Sequence, residues 1–170
     1  MNRILSRMSV KEAKPELIKF LDNFLQDKIV VAQEKIIASG EKLVREKDVV
    51  LIFGNSQKII QIICISKPKQ VVYVSRGNIG EDEEDLKILS DNKIECLLIN
   101  INAIPNYIRK VDKVLIEAFA VFSNGATLAA IGSAMVGLVA NEQKIPVIVC
   151  CESFKLTDRV QLDPIVFNEV

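Results

Sequence analysis

The residues able to do chemistry fall in five short polar stretches: Gly54-Asn55-Ser56, Ser75-Arg76-Gly77-Asn78, Asn100 to Asn102, Ser123-Asn124-Gly125 and Glu152-Ser153-Phe154-Lys155. Serine and asparagine bring hydrogen-bond donors and acceptors, glycine admits a ligand close to the backbone, and Arg76 brings a cation suited to an anion. Gly54, Asn55, Ser56, Arg76, Asn124 and Gly125 are therefore the candidates for a small-ligand pocket. The catalytic repertoire is narrow, because the 170 residues include no histidine. A histidine-dependent base or triad is excluded. Four cysteines, at 64, 96, 150 and 151, form no Cys-x-x-Cys pair, so no zinc site is expected and all four read as reduced thiols. No cofactor is called for either. Gly54 to Gln57 and Gly77 to Gly80 are too short for a dinucleotide fingerprint, and no Gly-Lys-Ser/Thr makes a phosphate loop.

These stretches must be held by something, and the apolar runs before them supply it. Val49 to Phe53, Val71 to Val74, Ile94 to Ile99, Val114 to Val121 and Pro146 to Cys151 are of strand length, and unbroken apolar runs suit parallel strands covered on both faces. Helical spacing predicts a helix over 10–39, opened by the capping-box spacing of Ser9 and Glu12, with Gly40 as a point where it can break and a short continuation over 41–45. Further helices are expected around 59–63, over 81–92, 104–110 and 127–143. Five strands alternating with helices give a Rossmann-like, doubly wound α/β sheet preceded by an N-terminal helix. Residues 1–46 form the helical segment and 47–170 the α/β domain. In such a sheet ligands gather beyond the carboxyl ends of the strands, where strand order reverses, and the five polar stretches lie at those ends.

Charge and composition narrow the partners. Lys plus Arg and Asp plus Glu both total 22, so nothing marks the chain for nucleic acid or an anionic membrane without a local patch. No run is long enough to span a bilayer and no secretory signal is evident, which points to the cytoplasm. The run Glu81-Asp82-Glu83-Glu84-Asp85 fills the positive end of a helix dipole with carboxylates, where a phosphate would be repelled. From Ala126 to Ala140 small residues alternate with Met135, Val136, Leu138 and Val139, leaving almost no polar face, so this stretch reads as intramolecular packing or a subunit interface.

Ser123 to Met135, Ile145 to Lys155 with Cys150-Cys151-Glu152-Ser153-Phe154-Lys155, and Arg159 to Asp163 resemble the regulatory subunits of eukaryotic translation initiation factor 2B, the delta subunit in particular; Lys14 to Leu17, Asp27 to Ala32 and Val50 to Ser56 extend the likeness. The resemblance implies a non-catalytic scaffold subunit that pairs first with the beta subunit, also with the alpha subunit, and helps sense the phosphorylated alpha subunit of initiation factor 2. It also implies that 1–46 is the remnant of a larger helical domain. A homodimer is plausible for the isolated chain. The same fold family contains isomerases of methylthioribose 1-phosphate and ribose 1,5-bisphosphate. Their catalytic Asp falls at Phe119, their Asn-Lys pair at Ala129-Ala130 and their catalytic Cys near Gly54, while Arg76 survives with Gly77 in place of their proline. Ring opening needs an acid and a base, and those positions offer neither. The alternatives are an isomerase relative or a vestigial sugar-phosphate or nucleotide-binding module. Interface residues are expected at Asn124, Ala130, Met135, Glu152, Phe154, Lys155 and Arg159.

Overall fold

The computed structural model describes residues 10–160; Ser9 of the expected capping box and the closing residues 161–170 lie outside them. The chain enters as α1 (Val10–Phe24), a π-helical stretch (Leu25–Val30) and α2 (Val31–Leu43). The helix expected over 10–39 thus runs on through Gly40. Glycine is needed there for close packing, since a Cβ would lie 2.5 Å from Cδ1 of Ile62. Residues 14–30 are exposed throughout, whereas Ala32 is buried and Ile36 and Ile37 pack on the core.

Six strands follow: β1 (Val49–Phe53), β2 (Gln70–Ser75), β3 (Cys96–Asn100), β4 (Lys113–Val121), β5 (Thr127–Ala129) and β6 (Val147–Cys150). The parallel sheet has the order β3-β2-β1-β4, with β6 paired parallel to β4. Connecting helices are α3 (Gln57–Ser66), α4 (Ile79–Asp91), the short α5 (Ile104–Tyr107) flanked by single 3-10 turns, and α6 (Ser133–Glu142). Strand parity divides the core into two layers. Val50, Ile52, Tyr73 and Leu115 pack with Ile59, Ile63 and Leu89 of α3 and α4, while Leu51, Phe53, Val72, Val74 and Ile116 pack with Ile104, Ile108, Val136 and Ala140 on the other face. Helices cover both faces, as the unbroken apolar strands require.

The helix expected over 127–143 is the principal correction. Residues 127–129 form β5, paired antiparallel with the end of β4, and the helix begins only at Ser133. Two glycines explain it. Gly125, at φ +82°, closes the turn in which the Phe122 amide donates to the Ala126 carbonyl at 2.9 Å, and Gly132, at φ +100°, is left-handed and interrupts any helix arriving from upstream. A side chain at Gly132 would also strike Phe53 and Ile101, 2.7 and 2.9 Å from its Cβ. The smooth surface read over 126–140 is therefore half hairpin and half helix.

Candidate functional site

Strand order reverses between β1 and β4, so the crevice beyond their carboxyl ends is where a ligand would be sought. The chain fills it with its own charges. Ser56 caps α3, its hydroxyl accepting from the Ile59 amide at 3.4 Å, and this cap brings Lys58 over the end of β4. There Lys58 Nζ lies 2.5 Å from Oε1 of Glu117 and 2.8 Å from Oε1 of Glu152. Lys155, one 3-10 turn beyond β6, lies 3.3 Å from Oε1 of Glu117 and 2.8 Å from Oε2 of Glu152, and it also donates to the Ala118 carbonyl at 3.3 Å. Two lysines and two glutamates thus close a ring.

Electrostatics keep Lys58, Glu117 and Glu152 charged. Burial alone would raise both carboxyls and lower Lys58, but the partners outweigh it. Glu117 is held below the usual carboxylate range by Lys58, Ser56 and Lys155, Glu152 is held low by Lys155 and Lys58, and the Lys58 ammonium is pushed up by the two carboxylates. A site with neutral sum and saturated cations offers an incoming phosphate no free positive charge. It acts instead as a clamp across β4, β6 and the start of α3.

The rest of the crevice is shaped by Arg76. Gly54 is buried at φ +71°, and a Cβ there would lie 2.0 Å from Cδ of Arg76, so the arginine stem crosses the glycine. Gly54, Asn55, Ser56 and Arg76 are accordingly brought together at the ends of β1 and β2. Asn124 and Gly125 are not with them; they form the tip of the β4–β5 hairpin, where Ser123 is tied to the Asp158 and Arg159 carbonyls at 3.2 and 3.1 Å. Phe119 and Ala130, at two of the isomerase positions, are half exposed and half buried.

A second charged cluster lies beside the first. Only three of the five carboxylates over 81–85 face solvent; Asp82 and Asp85 are buried, with the Tyr73 hydroxyl 3.1 Å from Asp82 Oδ1 and 2.9 Å from Asp85 Oδ2, while Ser75 also donates to Asp82. One phenolic proton cannot serve both carboxylates at once. Burial raises the Asp85 carboxyl and the charges of Asp82, Glu81 and Glu84 raise it further, against the Tyr73 bond; the Tyr73 phenol is itself strongly raised by burial and by Asp85 and Asp82.

Of the expected interface residues, Asn124, Met135, Phe154 and Arg159 are exposed, Ala130 is half buried against the core, and Glu152 and Lys155 turn inward to the ring. Sequence reasoning missed Lys58 and Glu117. The signal was present: Glu117 is a lone carboxylate inside the apolar run 114–121, between Ile116 and Ala118, and such a residue needs a cation nearby. An apolar groove of about 520 Å³ separates the β4–β5 hairpin from α6, lined by Ile116, Phe122, Leu128, Ala130, Gly137 and Val149. Ile131, which also lines it, is 91% exposed, and Leu138 of α6 is 70% exposed. The four cysteines are free; burial pushes the Cys96 and Cys150 thiols up to about 11. Among the described residues no cluster of His, Cys, Asp and Glu is placed to hold a metal, and no helix is long and apolar enough to cross a membrane.

Fold and site together define a doubly wound parallel α/β domain whose switch point is closed by an internal ion ring. The chain belongs to the initiation factor 2 subunit family, whose model matches residues 1–170. It is 31% identical over 163 residues to translation initiation factor eIF2B subunit delta of Schizosaccharomyces pombe, a match covering 94% of this chain and 35% of that protein. It is 27% identical over 165 residues to ribose 1,5-bisphosphate isomerase of Archaeoglobus fulgidus, covering 95% of this chain and 52% of the enzyme. This chain thus spans about a third of the delta subunit and half of the isomerase. A chain in the crystal structure of the tetrameric eIF2B beta2-delta2 complex from C. thermophilum has the same fold, with a TM-score of 0.84 at 22% identity over 96% of this chain and 57% of that one.

Proposed function

We propose that this chain is a non-catalytic assembly module of an initiation factor 2B complex, pairing with the beta subunit first and also with the alpha subunit, and helping the complex sense the phosphorylated alpha subunit of initiation factor 2. The observation that carries the reading is the exposed apolar surface of this region: Ile131 lines the groove under the hairpin, and Met135 and Leu138 stand one turn apart on α6. Adjacent apolar side chains of this size and exposure are expected to be covered by another protein. The ion ring supports the non-catalytic part, because it occupies the place where a sugar phosphate would need free cations and a mobile proton. The exposed stretch 14–30, which includes Leu17, Leu21, Phe24 and Leu25, fits a division into a helical segment over 1–46 and an α/β domain over 47–170.

Light scattering on size-exclusion fractions, with and without beta subunit, tests this reading. A stoichiometric complex, or a homodimer that the beta subunit displaces, is the expected outcome. A strict monomer that ignores the beta subunit would sink it. Incubation with ribose 1,5-bisphosphate or methylthioribose 1-phosphate should give no turnover, and measurable isomerisation would overturn the non-catalytic part.

A further inference from the structure

The chain has no net charge, yet its charges are not evenly placed. All five strands of the parallel sheet run the same way, so the segments that feed them share one rim and those that leave them share the other. From the last turn of each feeding helix to the first residue of its strand there are ten Lys and Arg against seven Asp and Glu. Three of those carboxylates are already committed: Asp48 to Lys113, Asp112 to the Val49 amide at 2.8 Å, and Glu95 to Gln70 at 2.6 Å. Lys113 is the only one of the ten cations in an ion pair among the described residues. The opposite rim holds the neutral ring of Lys58, Lys155, Glu117 and Glu152, and beside it the exposed carboxylates Glu81, Glu83 and Glu84 with only Arg76 in the loop before them.

Three of the feeding lysines hold unusual backbone. Lys67, Lys93 and Lys144 have φ of +45°, +59° and +58°, and they are the only residues besides glycine with positive φ among those described. Each closes a helix by donating its amide backwards, to Ile63, Ser90 and Asn141 at 2.9, 2.8 and 3.0 Å. Glycine would adopt this conformation without strain. A helix dipole favours a cation in the last turn but does not demand it at the strained position itself. Sheet order sets these three in a row as Lys93, Lys67 and Lys144, with Lys47 and Lys110 between the second and third. Strands stand about 4.8 Å apart, well within the roughly 8 Å screening length of physiological salt, so the fields of neighbouring loops merge.

We propose that this rim docks an acidic, extended segment of another protein. The feeding loops offer no exposed aromatic ring on which a base could stack. The interspersed carboxylates, Glu46 and Glu142 among them, oppose an unbroken phosphate backbone but suit a polypeptide carrying an occasional lysine. The inference is independent of the pairing face, which lies on the hairpin and α6.

Fluorescence anisotropy with a labelled peptide of alternating Glu and Gly tests it, with a labelled single-stranded oligonucleotide of equal charge as the second probe. The wild-type chain should bind the peptide with an affinity that falls as salt rises. The triple variant Lys67→Gly, Lys93→Gly, Lys144→Gly should keep its melting temperature while losing at least about tenfold in peptide affinity. Lys47→Gln with Lys69→Gln and Lys110→Gln, at positions of ordinary backbone, should weaken binding without the glycine changes. Replacing Glu81, Glu83 and Glu84 by Gln on the opposite rim should leave it unchanged. Wild-type affinity in both lysine variants, no peptide binding at all, or preference for the oligonucleotide would overturn the proposal.

Discussion

Replacing Lys58 by Met tests whether the ion ring clamps the switch point. The substitution removes contacts of 2.5 and 2.8 Å and leaves Glu117 and Glu152 sharing Lys155 alone, at 3.3 and 2.8 Å. Each charge contact near 3 Å is worth about 5 kcal/mol gross at an effective dielectric near 20, and desolvation offsets most of it. The side chains keep a little solvent, 7% at Glu152 and about a fifth at the other three, so the net loss lies below that of a fully buried pair, at about 2 kcal/mol. That shifts the melting temperature by roughly 4–8 °C for a chain of this size. The pH profile separates this account from simple lost packing. Glu117 and Glu152 are depressed below 4.5, so their contribution is present above that value and lost as pH falls through their folded pKa; Lys58 is raised above 10.5, so its contribution is present below that value and lost as pH rises through its folded pKa. Urea titrations of both proteins at pH 7 and near pH 3.5 supply the measurement. The deficit of Lys58→Met should be full at pH 7 and shrink in acid. A deficit under about 0.5 kcal/mol at pH 7, or one equal at both pH values, would refute the reasoning.

Ile131→Glu with Leu138→Arg should abolish pairing with the beta subunit in light scattering while changing monomer stability by less than about 0.5 kcal/mol, because both side chains are largely exposed. Gly54→Ala should cost about 1–2 kcal/mol in chemical denaturation, since it strains a backbone at φ +71° and displaces Arg76. Asp85→Asn should raise stability at pH 7 by about 1 kcal/mol. Its advantage should shrink as pH falls through the raised pKa of Asp85, because protonation then removes the same buried charge from the native chain. Thermal melts across pH 3.5–8 would show this trend or its absence.

The sheet was legible because its strands are continuous apolar runs of the right length, and alternation of Val50 and Ile52 with Leu51 and Phe53 between the two layers follows from strand parity alone. The helix assigned over 127–143 failed for a local reason. Alanine and leucine favour a helix, but their propensity is weak beside two glycines locked at positive φ and a hairpin that gives β5 its hydrogen bonds from β4. At the site, Gly54, Asn55, Ser56 and Arg76 were legible as strand-end residues. Asn124 and Gly125 were misplaced because β4 runs four residues beyond its last pairing with β6, at Glu117, and carries the turn away from the crevice. Glu152 and Lys155 were read as interface residues because the cation and carboxylate they meet inside the chain, Lys58 and Glu117, are distant in sequence. Long-range complementarity of that kind has no local signature.

Strand β4 serves two sets of partners along its length: its first half is held by β1 and β6, its last part by β5 and by the bridge from Val121 to Leu156. Amide protons of Leu115 and Ile116 can exchange with solvent only when the central sheet opens, whereas those around Ala120 are released by the opening of a short local hairpin. One continuous strand therefore spans two levels of opening free energy. The hairpin end can rearrange against a visiting surface while the buried half keeps the domain's frame in place.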